Sequence, residues 1–109
     1  MDISGWRRVW LLLLFDLPVK TKEDRRNYRL FHKALVKDGF QFVQFSVYMR
    51  FCPSVENADV HDARVKVALP PEGEVRLMVL TDKQFERMKI FVGKKKREAE
   101  KAPPELLLF

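Results

Sequence analysis

The stretch Val9-Trp10-Leu11-Leu12-Leu13-Leu14-Phe15-Asp16-Leu17-Pro18 decides how the rest of the chain is read. Its apolar run, Val9 to Phe15, is far short of the roughly 20 residues a membrane span requires. It suits a strand that is covered on both faces or central in a sheet. Trp6-Arg7-Arg8 ahead of it imitates the charged start of a secretion signal. The run, however, closes on an aspartate and lacks a small-residue cleavage site. Leu17-Pro18 then turns the chain away, because proline fixes the backbone. Asp16 is therefore expected as an exposed carboxylate at the end of a sheet. With an Arg- and Lys-rich helix after it, it points to an acidic metal site beside a phosphate-binding surface.

The 109 residues suffice for one domain, and 47% of them are apolar, so the chain should fold. Its formal charge of +6 favours nucleic acid or another polyanion as partner. Solubility alone is the plainer explanation of such a charge. A single cysteine, Cys52, excludes an intrachain disulfide and a cysteine-rich zinc site. His32 and His61 are too few and too far apart for a metal cluster. These features predict a cytoplasmic protein that makes no use of a membrane.

Outward from the first strand, Thr21 and Asp24 have the spacing of a capping box, and Gly39 stops the helix they open, at about 22–38. Tyr28, Phe31 and Leu35 share its apolar face. Lys22, Arg26, Arg29, Lys33 and Lys37 form a stripe on the opposite side, and Arg25 falls on the flank nearest the sheet. Phe40 to Phe51 is β-rich, but its alternation shifts phase at Gln44-Phe45-Ser46. Either two short strands meet there or one strand bends at a bulge. Ser54 opens a second helix that should last to Leu69, before Pro70-Pro71-Glu72-Gly73. Residues 74–81 read as a strand, 82–84 as a loop and 85–92 as a further strand. Residues 1–93 are expected to form the domain, and 94–109 a tail that is first basic and then apolar. His61 reads as an edge-of-core residue and Cys52 as a small apolar filler. Lys94 to Arg97 reads as a non-specific DNA grip or a frayed end, and Leu106 to Phe109 as a docking segment for a partner or a sister subunit.

The order is βαββαβ with an extra C-terminal strand, the split βαβ plan of a ferredoxin-like α+β sandwich. Helices on one face leave the other bare, exposing Leu12, Leu14 and the aromatics of the middle strands. Two sheets paired face to face would hide that patch. A strand crossing onto the partner's sheet edge would make the pair a domain-swapped homodimer.

Phe15-Asp16-Leu17-Pro18, Lys37-Asp38-Gly39-Phe40 and Gln44-Phe45-Ser46-Val47-Tyr48 resemble the small CRISPR-associated protein of spacer acquisition, the non-integrase member of the adaptation pair. Pro53-Ser54-Val55-Glu56-Asn57-Ala58, Leu69-Pro70-Pro71-Glu72-Gly73-Glu74-Val75-Arg76 and Leu80 to Met88 are similar to its type II versions. The resemblance covers about residues 9–93. It implies a homodimer whose last strand completes the partner's sheet, with the aspartate matched by Asp16 facing its twin across the two-fold axis. It also implies a subunit that bridges integrase dimers and holds a DNA duplex, some members being metal-dependent nucleases on RNA or double-stranded DNA. Arg25 and Lys37 match basic positions used for nucleic acid. Lys37 stands where arginine occurs elsewhere, which removes bidentate phosphate contact there.

On this reading Asp16 is both the metal ligand and the catalytic residue. One carboxylate is a poor site for Mg²⁺ (or Mn²⁺), whereas two related by symmetry can share one ion. The alternatives are that Asp16 caps its turn or pairs with Arg25. Arg25, Arg26, Arg29, Lys33 and Lys37 are the candidate phosphate contacts, to duplex DNA first and single-stranded RNA second. Ser46 and Tyr48 are candidates to support Asp16, against a turn hydroxyl and a half-buried ring. The expected function is that of a spacer-acquisition subunit with metal-dependent endonuclease chemistry. The alternative is a free-standing toxin-type endoribonuclease of the same fold. An RNA-recognition module is disfavoured, since its glycine-aromatic strand signature is absent.

Overall fold

A computed structural model describes residues 8–103 of the chain, so the expected docking segment Leu106 to Phe109 lies outside the described residues. Strand β1 (Val9–Asp16) lies between β3 (Val47–Cys52) and β4 (Glu74–Thr81), antiparallel to both. Strand β2 (Gln41–Gln44) pairs with β3, giving the order β2-β3-β1-β4. Helices α1 (Lys22–Lys37) and α2 (Val55–Ala68) supply the two crossovers. This is the ferredoxin-like α+β plan that the element order predicts.

The helix boundaries follow from local chemistry. Thr21 Oγ1 accepts from the Asp24 N–H at 2.9 Å, and Asp24 Oδ2 accepts from the Thr21 N–H at 3.1 Å, closing the expected capping box. At the other end of α1, the Phe40 N–H donates to Leu35 O and the Gly39 N–H to Val36 O. That Schellman arrangement places Gly39 at φ +89°, where a side chain would be strained. Ser54 Oγ caps α2 by accepting from the Asn57 N–H.

Strand alternation divides β1 between two cores. Val9, Leu11, Leu13 and Phe15 pack with Phe31 and Leu35 of α1 and with Ala58 and Val65 of α2. Trp10 and Leu12 face the other way, with Met49, Phe51 and Leu80. The phase shift in the middle of the chain resolves as two short strands that meet at a turn, not as one bent strand. Phe45-Ser46 turns the chain between β2 and β3, and the ladder slips between Phe42 and Gln44. Ser46 sits at φ +66°, uncommon for a residue with a Cβ.

The segment after β4 departs from expectation. Residues 82–84 are not a loop and 85–92 are not one strand. Thr81 caps a short helix, α3 (Asp82–Glu86), through a second capping box with Gln84. Thr81-Asp82-Lys83-Gln84 has the S/T-x-x-E/Q pattern that announces such a start. Strand β5 is confined to Ile90–Val92 and pairs with β6 (Lys95–Arg97) in a separate two-stranded sheet. Gly93, the expected domain boundary, lies in the turn between them.

This segment also changes the expectation of a bare sheet face. Phe85 stacks on Trp10 with ring centroids 4.1 Å apart, and Phe51 meets the indole edge-on. Met88, Ala99 and Ala102 pack against the same group. Trp10 and Phe51 are therefore covered from within the chain, whereas Phe42 of β2 is exposed. The open part of the face is its far end, with Leu14 and Val47 half-buried and Met78 47% exposed.

Candidate functional site

Asp16 occupies that far end. It follows Leu14 in the alternation, so its carboxylate belongs to the face away from the helices, and it is exposed. Its strand position is held from two sides. The Phe15 N–H donates to the Ser46 carbonyl at 3.1 Å, tying the end of β1 to the strained turn. Gly73, at φ +102°, packs so closely that a Cβ there would lie 2.6 Å from Leu17 Cδ2 and 2.8 Å from the Asp16 carbonyl oxygen. Only glycine satisfies both the dihedral angle and the space.

Two further residues share this end of the face, and the sequence alone did not single them out. Glu74 is the direct cross-strand partner of Asp16, and Arg76 is the partner of Leu14. Arg76 Nε donates to Glu74 Oε1 at 2.7 Å, and both side chains are exposed. The result is an open acidic pair with a guanidinium beside it. A hydrophobic-run reading of β4 conceals the pair, because only pairing with β1 sets it opposite Asp16.

The expected basic residues lie elsewhere. Arg25 neither pairs with Asp16 nor stands free; its Nη1 donates to Val19 O at 3.2 Å and Lys20 O at 2.9 Å. It clamps the loop that leaves the Asp16 strand. Arg26, Arg29, Lys33 and Lys37 are exposed on α1, whose buried face is Phe31 and Leu35. Their stripe therefore lies on the helical side of the sheet and Asp16 on the other; the fold does not bring them together. Tyr48 points to the helical side as well, as the partner of Leu13, with its ring stacked on Phe15 and its hydroxyl hydrogen-bonded to His32 Nδ1. It steadies the strand rather than the carboxylate. Burial raises its phenol pKa, with Tyr28 adding to the effect, so it stays neutral. Ser46 meets the end of β1 through its main-chain carbonyl, which accepts from the Phe15 N–H.

A second charged group joins α1, β3 and α2. Asp38 Oδ2 lies 2.8 Å from His61 Nδ1, and Oδ1 accepts from Arg64 Nη1 at 2.8 Å. Arg50 Nε donates to the Asp38 carbonyl at 2.7 Å. Burial alone would raise the Asp38 carboxyl, but the bonds and charges of Arg64 and His61 outweigh it and hold the group below 3.8. An ionised carboxylate can only accept, so His61 Nδ1 carries the hydrogen. His61 is a buried link between elements, close to the expected edge-of-core role.

For a metal, the donor set at the Asp16 end fits a hard cation in kind: exposed carboxylate oxygens with room for water. Among the described residues no group of three or more His, Cys, Asp or Glu side chains could hold an ion. No helix among them is long and apolar enough to cross a membrane.

The family model described as CRISPR associated protein Cas2 matches residues 9–88, from β1 through α3. The chain belongs to the Cas2 family. It is 45% identical over 107 residues to a CRISPR-associated endoribonuclease Cas2 of Flavobacterium psychrophilum, covering 98% of this chain and 93% of that one. It is 46% identical over 101 residues to the protein of the same description from Parvibaculum lavamentivorans, covering 93% and 100%. A third, from Paracidovorax avenae, is 44% identical over 107 residues, covering 98% and 99%. Among solved structures, one described as the crystal structure of cas2 superposes with a TM-score of 0.56 over 88% of this chain and 98% of that one. At 14% identity that likeness concerns the fold alone. The Cas2 match extends across Gly73-Glu74 as well as Asp16, so both sides of the candidate site lie within it.

Proposed function

We propose that this Cas2-family chain acts as a homodimeric subunit of CRISPR spacer acquisition that holds duplex DNA for the integrase, with metal-dependent endonuclease chemistry at paired Asp16 residues. The observation that carries the reading is the open end of the sheet: Leu14, Val47 and Met78 form an uncovered apolar patch with Asp16 at its rim. A second copy docked there covers the patch and sets one Asp16 near the other. The edge of β4 is free among the described strands, and a strand from the partner fits it. In that arrangement β5 leaves its hairpin for the partner's sheet.

Asp16 and its twin are the residues that would hold Mg²⁺ or Mn²⁺, with Glu74 alongside; the bound ion supplies charge neutralisation and a more acidic water. Asp16 contributes a fixed carboxylate, because Gly73 and the Ser46 carbonyl restrain its strand. Arg76 stands on the same face and suits a phosphate of the substrate. The stripe Arg26, Arg29, Lys33 and Lys37 suits the flanking duplex through backbone phosphates, without base readout. The relatives described as endoribonucleases support trying RNA beside DNA.

The test is cleavage of labelled duplex DNA and single-stranded RNA with Mg²⁺, by the purified chain and by Asp16→Asn, with binding scored in the same samples. Cleavage abolished with binding retained supports the catalytic assignment. Cleavage that survives Asp16→Asn overturns it. Binding without cleavage in either protein leaves the scaffold and removes the enzyme. Cleavage without integrase binding favours the free-standing endoribonuclease.

A further inference from the structure

Strand β2 forms one edge of the sheet, and two phenylalanines stand out from it and from the turn that follows. Phe42 is 58% exposed and Phe45 is 75% exposed. Val43, next to Phe42, packs against the second core, so strand alternation sends Phe42 to the helical side. Its ring meets Tyr48 edge-on, with centroids 5.6 Å apart. Phe45 lies over Tyr28 of α1, with centroids 6.4 Å apart and the rings 22° from parallel. The two supporting tyrosines rest on one ring: Phe15 is 5.9 Å from Tyr28 and 5.6 Å from Tyr48. Neither Phe42 nor Phe45 belongs to either packed core. Exposed rings gathered at one edge mark a contact surface.

The backbone holds this edge in place. The residue after Phe45 is Ser46, whose carbonyl accepts from the Phe15 N–H and ties the turn to β1. A surface fixed in this way loses little entropy on binding. The flank of α1 beside it is cationic. Arg25, Tyr28, Arg29 and His32 recur at the three- and four-residue spacings of one helix side. Arg29 is exposed, and Arg25 spends only Nη1 on the carbonyls of Val19 and Lys20, which leaves it further donors. None of these residues is acidic, nor is any of 41–46. Bare rings beside cations match a ligand that offers flat π-faces and phosphates together, which is the chemistry of an unpaired nucleotide strand.

We infer that Phe42 and Phe45 form a stacking platform for the unpaired bases of single-stranded nucleic acid, with Arg25 and Arg29 along its phosphates. Duplex DNA keeps its bases stacked within the helix and gains from the cations alone. The rings therefore favour an unpaired strand over a duplex at this edge. The inference rests on the nucleic-acid reading proposed above for the class of ligand, and not on Asp16, a metal ion or dimer formation. The platform lies on the helical side of the sheet, away from the Asp16 face.

Fluorescence anisotropy in EDTA tests it, with labelled oligo(dT), oligo(U), an abasic strand of the same length and a duplex. Phe42→Ala and Phe45→Ala should each weaken binding of a base-bearing single strand by on the order of tenfold, the effect of losing one stacked base. Affinity for the abasic strand and for the duplex should not change. Phe45→Trp should keep the affinity, whereas Phe45→Leu, apolar but without a π-face, should lose it. Both positions are exposed, so the variants keep the fold; circular dichroism checks this. A loss confined to oligo(dT) identifies a DNA end as the ligand, and one confined to oligo(U) identifies RNA; either supports the platform. Unchanged affinity in both alanine variants overturns it, as does a native chain that binds no single strand. Phe45→Leu binding as tightly as the native chain also overturns it, since apolar contact would then suffice. Sedimentation of Phe45→Ala that shows lost self-association marks a contact between copies and likewise overturns it. Because EDTA removes any metal, these results stand apart from the Asp16→Asn cleavage test, and each reading can fail without the other.

Discussion

At the scale of single residues, two carboxylates with different surroundings have different tasks. Asp16 is exposed and held by backbone contacts, which leaves its oxygens available for a ligand. Asp38 spends both oxygens on His61 and Arg64 and works as a clamp between helices. Because its pKa is lowered in the folded chain, the unfolded chain binds more protons in acid. Its stabilising effect is present above the ordinary carboxylate value and fades as pH falls through the lower folded value. Denaturant titrations across acid pH should show that limb in the native chain and a flatter one in Asp38→Asn. At neutral pH, Asp38→Ala should cost about 1–3 kcal/mol through the buried His61 left without its acceptor. Gly73→Ala introduces a side chain at positive φ against Leu17 and the Asp16 carbonyl. A loss of about 1–3 kcal/mol is expected, and cleavage, where it occurs, should fall even in samples matched for folded fraction. Cys52 is fully buried and burial raises its thiol pKa, so thiol reagents should label it only as the chain unfolds.

At the scale of elements, α3 is the piece on which the second core depends. Five residues cannot form a stable helix alone; the Thr81–Gln84 capping box and the Phe85–Trp10 stack hold it in place. The Trp10 Nε1–H also donates to the buried Asp82 at 2.8 Å, with Arg8 3.4 Å from the other carboxylate oxygen. Phe85→Ala should therefore cost about 3–5 kcal/mol, measured by thermal or denaturant unfolding, and should raise the exposure of Trp10 in fluorescence quenching. Thr81→Ala should cost about 1 kcal/mol. The capping boxes of α1 and α3 are both written in the sequence, but only the first stands before a long amphipathic run. A helix of one turn has too little periodicity to announce itself, and the apolar residues of 85–92 imitate a strand.

At the scale of the whole molecule, the sheet separates two surfaces. One bears the α1 cations; the other bears the open apolar patch, Asp16, Glu74 and Arg76. If the patch is where two copies meet, Leu14→Lys with Met78→Glu should convert a dimer to a monomer in sedimentation at micromolar concentration. The elements should keep their circular dichroism, since both positions lie outside the two packed cores. Binding of duplex DNA should weaken steeply with salt in proportion to the phosphates contacted. Neutralising Arg26, Arg29 and Lys33 together should lower that slope, and Arg25→Ala should instead loosen the loop after β1.

What the sequence by itself determined was the local grammar: the buried strand ending in Asp16, the caps at Thr21 and Ser54, the stop at Gly39 and the βαββαβ order. Each of these depends on neighbours within a few residues, where spacing and side-chain type suffice. The motif around Asp16 also carried the family resemblance, which the match over 9–88 bears out. Only the tertiary structure decided which residues surround that aspartate. Glu74 reaches it through strand pairing across 58 positions of sequence, and Tyr48 and the α1 stripe turn away because alternation and helix packing assign them to the other side of the sheet. The cover over Trp10 was likewise settled by a long-range stack, whose partner at Phe85 no periodicity could single out.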